Sequence, residues 1–270
     1  MGLCQKEEKK FKVVEIKPIN NNFNQSQILN YIIPKNIYIP IMNNNQIQQN
    51  NYNSNINLYL SLSYDFLKFA CNIPEDLFDS RGDCLNGWGS GKSGPPNYLK
   101  DYIPPLGWTG VGLNVLNLYD NGDNSWLGRS NKNNGEWYIG YHGTKKIDSV
   151  RGIILNGFRK GPNHGCLNYI NINPLSKYKY PTCIKGVYFS PNINEAMKYT
   201  LDIPYNGYNY KVVFMCRINP YTVQIAKVNN GEEYWIVNGD DLNDIYGRKR
   251  DDEVRPYRVL LKIQRNANFY

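Results

Sequence analysis

Three groups of residues in this chain combine side chains that could act on a sugar bond. His142, one of only two histidines, stands in the run Gly140–Thr144. Tyr188 and Tyr199 lie eleven positions apart, and Glu233 precedes a Tyr-Trp-Ile-Val run. Two aromatic faces can hold a planar cationic ring, a histidine can hydrogen-bond a hydroxyl group, and a fixed carboxylate can stabilise positive charge that develops on a sugar. Such a set would suit cleavage at a glycosidic bond.

Each of these residues also has an ordinary structural interpretation. A single histidine is more often structural than catalytic, and among 23 tyrosines two will often lie eleven positions apart. A Glu-Glu pair before a strand is usually a solvated edge. The functional hypothesis therefore depends on the order of the motifs along the chain.

The order of four segments resembles that of the ADP-ribosyltransferases. Residues 140–144, with the helical pattern and the Gly-Phe pair after them, resemble the first motif of the diphtheria-toxin-like enzymes and of the poly(ADP-ribose) polymerase catalytic domain. Residues 186–189 resemble the second motif, and residues 232–237 resemble the glutamate-bearing strand. Residues 254–257 resemble the closing segment of polymerase-type domains. The resemblance covers about the last half of the chain and does not extend to residues 1–100.

The resemblance implies an enzyme of the H-Y-E class that binds NAD as a co-substrate, releases nicotinamide and transfers ADP-ribose to a protein acceptor. It implies a catalytic trio of His142, Tyr188 and Glu233. The residues that it assigns to NAD binding are His142, Gly143, Thr144, Tyr188 and Tyr199. Glu232 is the alternative to Glu233, because alternation along a strand directs only one of the two towards a pocket.

The family pattern also gives these residues individual roles. The two tyrosines would stack on nicotinamide, and the glutamate would hold the ribose 2′-hydroxyl. Gly143 would let the main chain approach the carboxamide, because no side chain intervenes. Ala196 stands where polymerase-type domains usually place a serine, so we expect transfer of single ADP-ribose units. The alternatives are an NAD glycohydrolase, an inactive module that binds NAD or ADP-ribose, and an enzyme that acts on nucleic acid.

Composition and short motifs argue against several other classes. The formal net charge is +8, but no block of basic residues with interleaved aromatics occurs, so we expect no dedicated nucleic-acid binding. The six cysteines form no C-x-x-C pair, and we expect no metal site. Residues 89–93 resemble part of a phosphate-binding loop, but Asn86 stands where that motif needs glycine. A nucleoside triphosphatase is therefore excluded.

Changes in composition and in hydrophobic pattern along the chain predict three segments. Residues 1–57 end in an Asn/Gln-rich run and are predicted to be a disordered tail. Residues 58–134 are predicted to form an N-terminal subdomain of unknown role, and residues 135–270 the catalytic domain. Strand patterns outnumber helical ones in the last segment, which predicts an α+β fold. The resemblance refines this prediction to the split, mixed or antiparallel β-sheets of an ADP-ribosyltransferase-like fold.

Local signals predict individual elements within these segments. Glycines and prolines crowd residues 81–105, which favours a loop, and residues 142–144 read as a turn after a strand. A helix is predicted from Ile147, with Asn156 and Gly157 as its C-terminal cap. Strands are predicted at 137–141, 186–189, 210–218, 222–228, 234–237 and 254–263, and a second helix at 193–199.

The first residues partly match a signal for N-terminal acylation. Gly2 and Cys4 could be myristoylated and palmitoylated next to a lysine-rich patch, and these signals together would hold a protein at a membrane surface. Lys6 stands where the myristoylation motif has serine or threonine. Neither a secretory signal nor an apolar run long enough to span a bilayer is present. We expect a cytoplasmic protein, with membrane tethering through Gly2 and Cys4 as the alternative.

Overall fold

The fold is α+β, with mostly antiparallel sheets and few helices in the part of the chain that the structure describes. This confirms the fold class at that level. The computed structural model describes residues 57–85, 89–128, 134–158, 167–168, 174–175, 183–184, 186–227, 231–238 and 251–266. All of them belong to one compact unit, Gln49–Tyr270. The tail prediction for residues 1–57, and Gly2 and Cys4 with it, falls almost entirely outside these ranges.

Three helices and twelve strands are present among the described residues. Helix α1 covers residues 57–65 and continues as a π-helical turn, Phe66–Ala70. Helices α2 and α3 cover Ile147–Asn156 and Ile193–Met197. The strands are β1 Lys92–Ser93, β2 Lys100–Asp101, β3 Thr109–Gly112, β4 Tyr138–Thr144, β5 Leu167–Asn168, β6 Cys183–Ile184, β7 Gly186–Phe189, β8 Ile203–Tyr205, β9 Tyr208–Ile218, β10 Gln224–Lys227, β11 Glu233–Asn238 and β12 Val254–Arg265.

The larger sheet has the strand order β3-β12-β9-β4, with β8 also paired to β9. Strand β9 is central, and its run from Val212 to Ile218 is buried on both faces, which explains its almost continuous apolar sequence. Strand β12 pairs with β9 along most of its length and shifts register between Pro256 and Arg258. A proline has no N–H to donate, so a β-bulge is a position where a strand tolerates it. Residues 109–112, from the predicted N-terminal subdomain, supply an edge strand of this sheet.

The smaller sheet, β10-β11-β7, meets the larger one beside strand β4. Tyr141 and Ser190 form an isolated antiparallel bridge, with N···O distances of 2.8 and 3.0 Å. The bridge joins the middle of β4 to the residue that follows β7. Residues from the two strands are thereby held side by side, although 46 positions separate His142 from Tyr188.

Several predicted elements are confirmed, and two are wrong. Strand β7 has the predicted bounds, and helix α2 ends on Gly157, whose φ of 72° suits a residue without Cβ. The turn predicted at 142–144 is instead the end of β4, because each of these residues pairs with β9, ending at Thr144 and Val212. The loop predicted over 81–105 contains the short antiparallel pair β1 and β2. Tertiary pairing overrides the local glycine signal at both places.

Two searches of the described residues gave no candidates. No helix there is both long enough and apolar enough to cross a membrane. No group of three or more histidine, cysteine, aspartate and glutamate side chains in these ranges could hold a metal ion.

Candidate functional site

Four of the sequence-predicted binding residues line one small cavity beside the junction of the two sheets. The cavity has a volume of about 100 Å³. Its lining residues are Tyr141, His142, Gly143, Tyr188, Phe189, Ser190, Ala196, Tyr199 and Tyr234. An apolar cavity of about 150 Å³ can hold a benzene molecule, so this volume is of the order that one planar ring needs. Thr144 is buried at the end of β4 and does not line the cavity.

His142 is held in one orientation by strand β7. Its Nδ1 lies 2.9 Å from the carbonyl oxygen of Tyr188. A carbonyl oxygen only accepts hydrogen bonds, so Nδ1 carries a proton and donates it to this oxygen. The ring also packs against Phe158 and Phe189, with centroid distances of 5.1 and 5.4 Å. The orientation of the His142 ring at the cavity wall is therefore fixed by these contacts.

Gly143 is required by the close approach of helix α3. A Cβ at this position would collide with the backbone carbonyl of Ala196, which cannot move without displacing the helix. Strand β4 and helix α3 therefore pack in direct backbone contact at the cavity wall. The resemblance predicted that Gly143 lets a ligand carboxamide approach the main chain, and this role stays a prediction. The structure shows a separate reason for glycine at this position, which is its packing against α3.

Three tyrosines besides Tyr141 line the cavity. Tyr188 is partly buried on β7, and Tyr199, which follows α3, is 50% exposed. The hydroxyl oxygens of Tyr199 and Tyr234 lie 3.5 Å apart. Burial, followed by the hydrogen bond with Tyr199, raises the pKa of Tyr234 above its ordinary value, so its hydroxyl stays protonated at neutral pH. These rings give the cavity neutral, aromatic walls.

Tyr234 is a site residue that sequence reasoning missed. In the register of the smaller sheet, Ile236 pairs with Tyr188. Side chains on one strand point to the same face at every second position, so Tyr234 lies on the face that Tyr188 shares. The alternation of β11 was the signal that could have identified it.

Glu233 does not line the small cavity but a larger cleft next to it, with a volume of about 640 Å³. Ser190 lines both, so the two spaces adjoin. One carboxylate oxygen of Glu233 accepts a hydrogen bond from the indole N–H of Trp235 at 3.3 Å and lies 3.7 Å from the Lys100 ammonium. The other oxygen lies 3.8 Å from the Lys227 ammonium. The carboxylate is thus held in place at the first residue of β11.

Glu232 lines the same cleft and lies 3.6 Å from the ammonium of Lys198. The sequence predicted that only one of the two glutamates would face a pocket. Strand alternation does not constrain Glu232, because β11 begins at Glu233. Both carboxylates therefore reach the cleft, but Glu233 is one position from Tyr234 and so lies on the face of β11 opposite to the small cavity. Glu232 lies nearer to that cavity, because its charge adds to burial and the Tyr199 contact in raising the pKa of Tyr234.

No protein-family model and no curated protein matches this chain. The functional interpretation consequently depends on two observations that belong to the chain itself. One is the order of the four sequence segments. The other is the convergence of His142, Tyr188 and Tyr199 on one cavity, with Glu232 and Glu233 in the adjoining cleft.

Proposed function

We propose that the chain is an NAD-dependent mono-ADP-ribosyltransferase with an ADP-ribosyltransferase-like fold, acting on a protein acceptor. One observation carries the proposal. His142, Tyr188 and Tyr199, which come from β4, β7 and the turn after α3, line a cavity of the size that one planar ring needs. These are three of the five positions to which the resemblance assigns contacts with NAD, and Gly143 is a fourth in the same cavity.

Each residue of the cavity has a separate role in binding NAD under this proposal. The aromatic faces of Tyr188 and Tyr199 hold the cationic nicotinamide ring, and Tyr234 closes the same wall. His142 forms a hydrogen bond with a ribose hydroxyl, which fixes the pose of the dinucleotide. The tight approach of Gly143 to α3 keeps the cavity small.

The transfer step breaks the bond between the ribose C1′ and the nicotinamide nitrogen. The bonding electron pair leaves with nicotinamide, which becomes neutral, and positive charge develops on the ribose. The Glu233 carboxylate stabilises this charge from the adjoining cleft and holds the 2′-hydroxyl. The acceptor nucleophile then bonds to C1′ and loses its proton. No metal ion is needed for this sequence of steps.

The proposal is tested by incubating the purified chain with NAD labelled in its adenylate moiety. We expect nicotinamide release together with label on protein, and loss of both signals in His142→Ala. Nicotinamide release without label on any protein would indicate an NAD glycohydrolase. Binding of NAD without either product would indicate an inactive binding module, and absence of NAD binding would overturn the proposal.

Replacement of Tyr199 tests the aromatic clamp. We expect Tyr199→Ala to weaken NAD binding about 10-fold, because a stacked aromatic or cation–π contact contributes about 0.5–2 kcal/mol. Tyr221→Ala is a matched control, since Tyr221 is 51% exposed, close to the 50% of Tyr199, and does not line the cavity. Equilibrium dialysis with NAD measures both variants. Equal affinities for the two would refute the clamp.

A further inference from the structure

A second large cavity lies on the face of the larger sheet opposite to His142. Ile139 lines it, and Ile139 and His142 are three positions apart, so their side chains point to opposite faces of β4. The volume is about 920 Å³. The sheet forms one wall, and the segment from 79 to 128 supplies most of the other. None of the residues proposed above for NAD binding or catalysis lines this cavity.

Charged side chains in the cavity lining are predominantly basic. The basic residues are Arg81, Lys92, Arg217 and Arg258, and the acidic ones are Asp79 and Glu136. The lining therefore has an excess of two positive charges (four minus two). Lys92 also contacts Asp101 at 2.9 Å, but both side chains are more than half exposed, and such pairs are weak in water.

Arg217 is a buried cation whose hydrogen-bonding capacity is incompletely used. Its side chain is 8% exposed, and its Nη1 donates to Glu136 at 2.8 Å and to the Trp137 carbonyl at 2.7 Å. Its Nε is buried without a hydrogen-bond partner among the described residues. The Oε2 atom of its partner Glu136 is likewise buried without a hydrogen-bond partner among the described residues. Burial of an incompletely paired guanidinium is costly, so a water molecule or a ligand group at this wall of the cavity would complete its hydrogen bonds.

Arg258 completes a positively charged wall beside Arg217. The guanidinium carbons of Arg217 and Arg258 lie 5.5 and 5.4 Å from the centroid of the Tyr257 ring. Nε of Arg258 donates to the Gly82 carbonyl at 2.7 Å, which fixes the direction of its guanidinium. Two arginines held around one ring in one cavity suit the planar, two-pronged contacts that oxyanions accept.

We propose that this cavity binds a small molecule that carries a phosphomonoester. A volume of 920 Å³ lies within the range of small-molecule sites. The excess of two positive charges matches the charge of a phosphomonoester, about −1.5 to −2 at pH 7. A carboxylate carries one negative charge and would compensate only half of this excess. Apolar side chains in the lining, including Leu113, Ile139 and Met215, would contact the body of the ligand.

The test uses the full chain and two probes that differ in the anionic group. Phenyl phosphate and benzoate are titrated by isothermal calorimetry, and we expect phenyl phosphate to bind at least ~10-fold more tightly. Arg258→Gln should weaken phenyl phosphate binding about 10-fold or more. Lys211→Gln removes a positive charge that pairs with Asp202 outside the cavity, and it should leave the affinity unchanged. His142→Ala should also leave it unchanged.

Two further variants keep the test decisive if Arg258→Gln does not fold. Arg81→Gln removes a cavity charge whose side chain is 73% exposed, and it should weaken binding about 2- to 5-fold. The double variant Arg217→Gln with Glu136→Gln removes both charges of the buried ion pair and leaves the excess of two positive charges in place. It should weaken binding about 10-fold through loss of the Arg217 hydrogen-bond donors. Equal affinities for the two probes, no effect of these variants, or loss of binding in His142→Ala would overturn the proposal.

Discussion

Replacing Glu233 with glutamine should lower the rate of nicotinamide release about 10²–10³-fold, while NAD affinity changes little. Glutamine preserves the size of the side chain and can accept the indole N–H of Trp235, so strand β11 should remain intact. It removes the negative charge that faces the developing positive charge on the ribose. Loss of one preorganised electrostatic group at a reacting centre typically costs about 2.7–4 kcal/mol of transition-state stabilisation. Single-turnover release of nicotinamide and equilibrium binding of NAD measure the two quantities.

Glu232→Gln is the matched control, because the two glutamates are neighbours in one cleft and each contacts a lysine. We expect it to lower the rate less than 10-fold. A large loss in Glu232→Gln with near-normal Glu233→Gln would exchange the roles of the two residues. Near-normal rates in both would remove the carboxylates from the mechanism while leaving the aromatic cavity as a binding site.

Much of the fold follows from local patterns in the sequence. Helix α2 has apolar residues at helical spacing and a glycine at its end, and both signals are local. Strand β4 was predicted to end at Tyr141, before a turn at residues 142–144, yet pairing with β9 extends the strand to Thr144. The short strands β1 and β2 were missed for a related reason. Only their mutual pairing, which no local signal encodes, stabilises them among glycines and prolines.

Only those residues of the candidate site that belong to the four sequence motifs could be predicted from the sequence. The order of the segments identified His142, Tyr188 and Tyr199, and these residues share a cavity. The order of the segments could not reveal the contact between Lys100 and Glu233, which lie 133 positions apart in the sequence. Lys100 belongs to a segment that the resemblance does not cover. Contacts of this kind depend on how the edge strands pack, and single-sequence patterns do not determine that packing.

Arg255 is a charged position at which a single substitution should strongly destabilise the fold. Its side chain is 3% exposed, and it makes two hydrogen bonds with the Asp120 carboxylate, at 2.6 and 2.8 Å. Its guanidinium carbon also lies 4.3–4.9 Å from the ring centroids of Tyr119, Trp126 and Trp137. The residue therefore ties β12 to the segment around Asp120.

We expect Arg255→Leu to lower the free energy of unfolding by about 3 kcal/mol. Breaking a buried ion pair typically costs about 3–5 kcal/mol. The lower end applies because the Asp120 side chain is 48% exposed and can be hydrated once it is alone. The cation–π contacts with the three aromatic rings are lost as well. For a chain of this size, such a loss corresponds to a fall in Tm of about 6–12 °C. Urea unfolding followed by tryptophan fluorescence measures it.

Arg81→Leu is the control that distinguishes the effect of burial from the effect of ion pairing. Arg81 makes a similar two-bond contact with Asp79, but its side chain is 73% exposed. We expect this control to change the free energy of unfolding little, because exposed ion pairs are screened by solvent. Equal losses in Arg81→Leu and Arg255→Leu would contradict the assignment of the effect to the buried aromatic environment.

The pH dependence of the difference between wild type and Arg255→Leu gives a second check. Hydrogen bonding to Arg255 lowers the pKa of Asp120 below its ordinary value. A lowered pKa in the folded state contributes stability above the unfolded value, about 3.9, and this contribution is lost as the pH falls through the folded value. We therefore expect the difference in unfolding free energy to be constant from pH 7 to about pH 5 and to narrow below about pH 4. A difference that stayed constant to the lowest pH would assign the stabilisation to the aromatic rings rather than to Asp120.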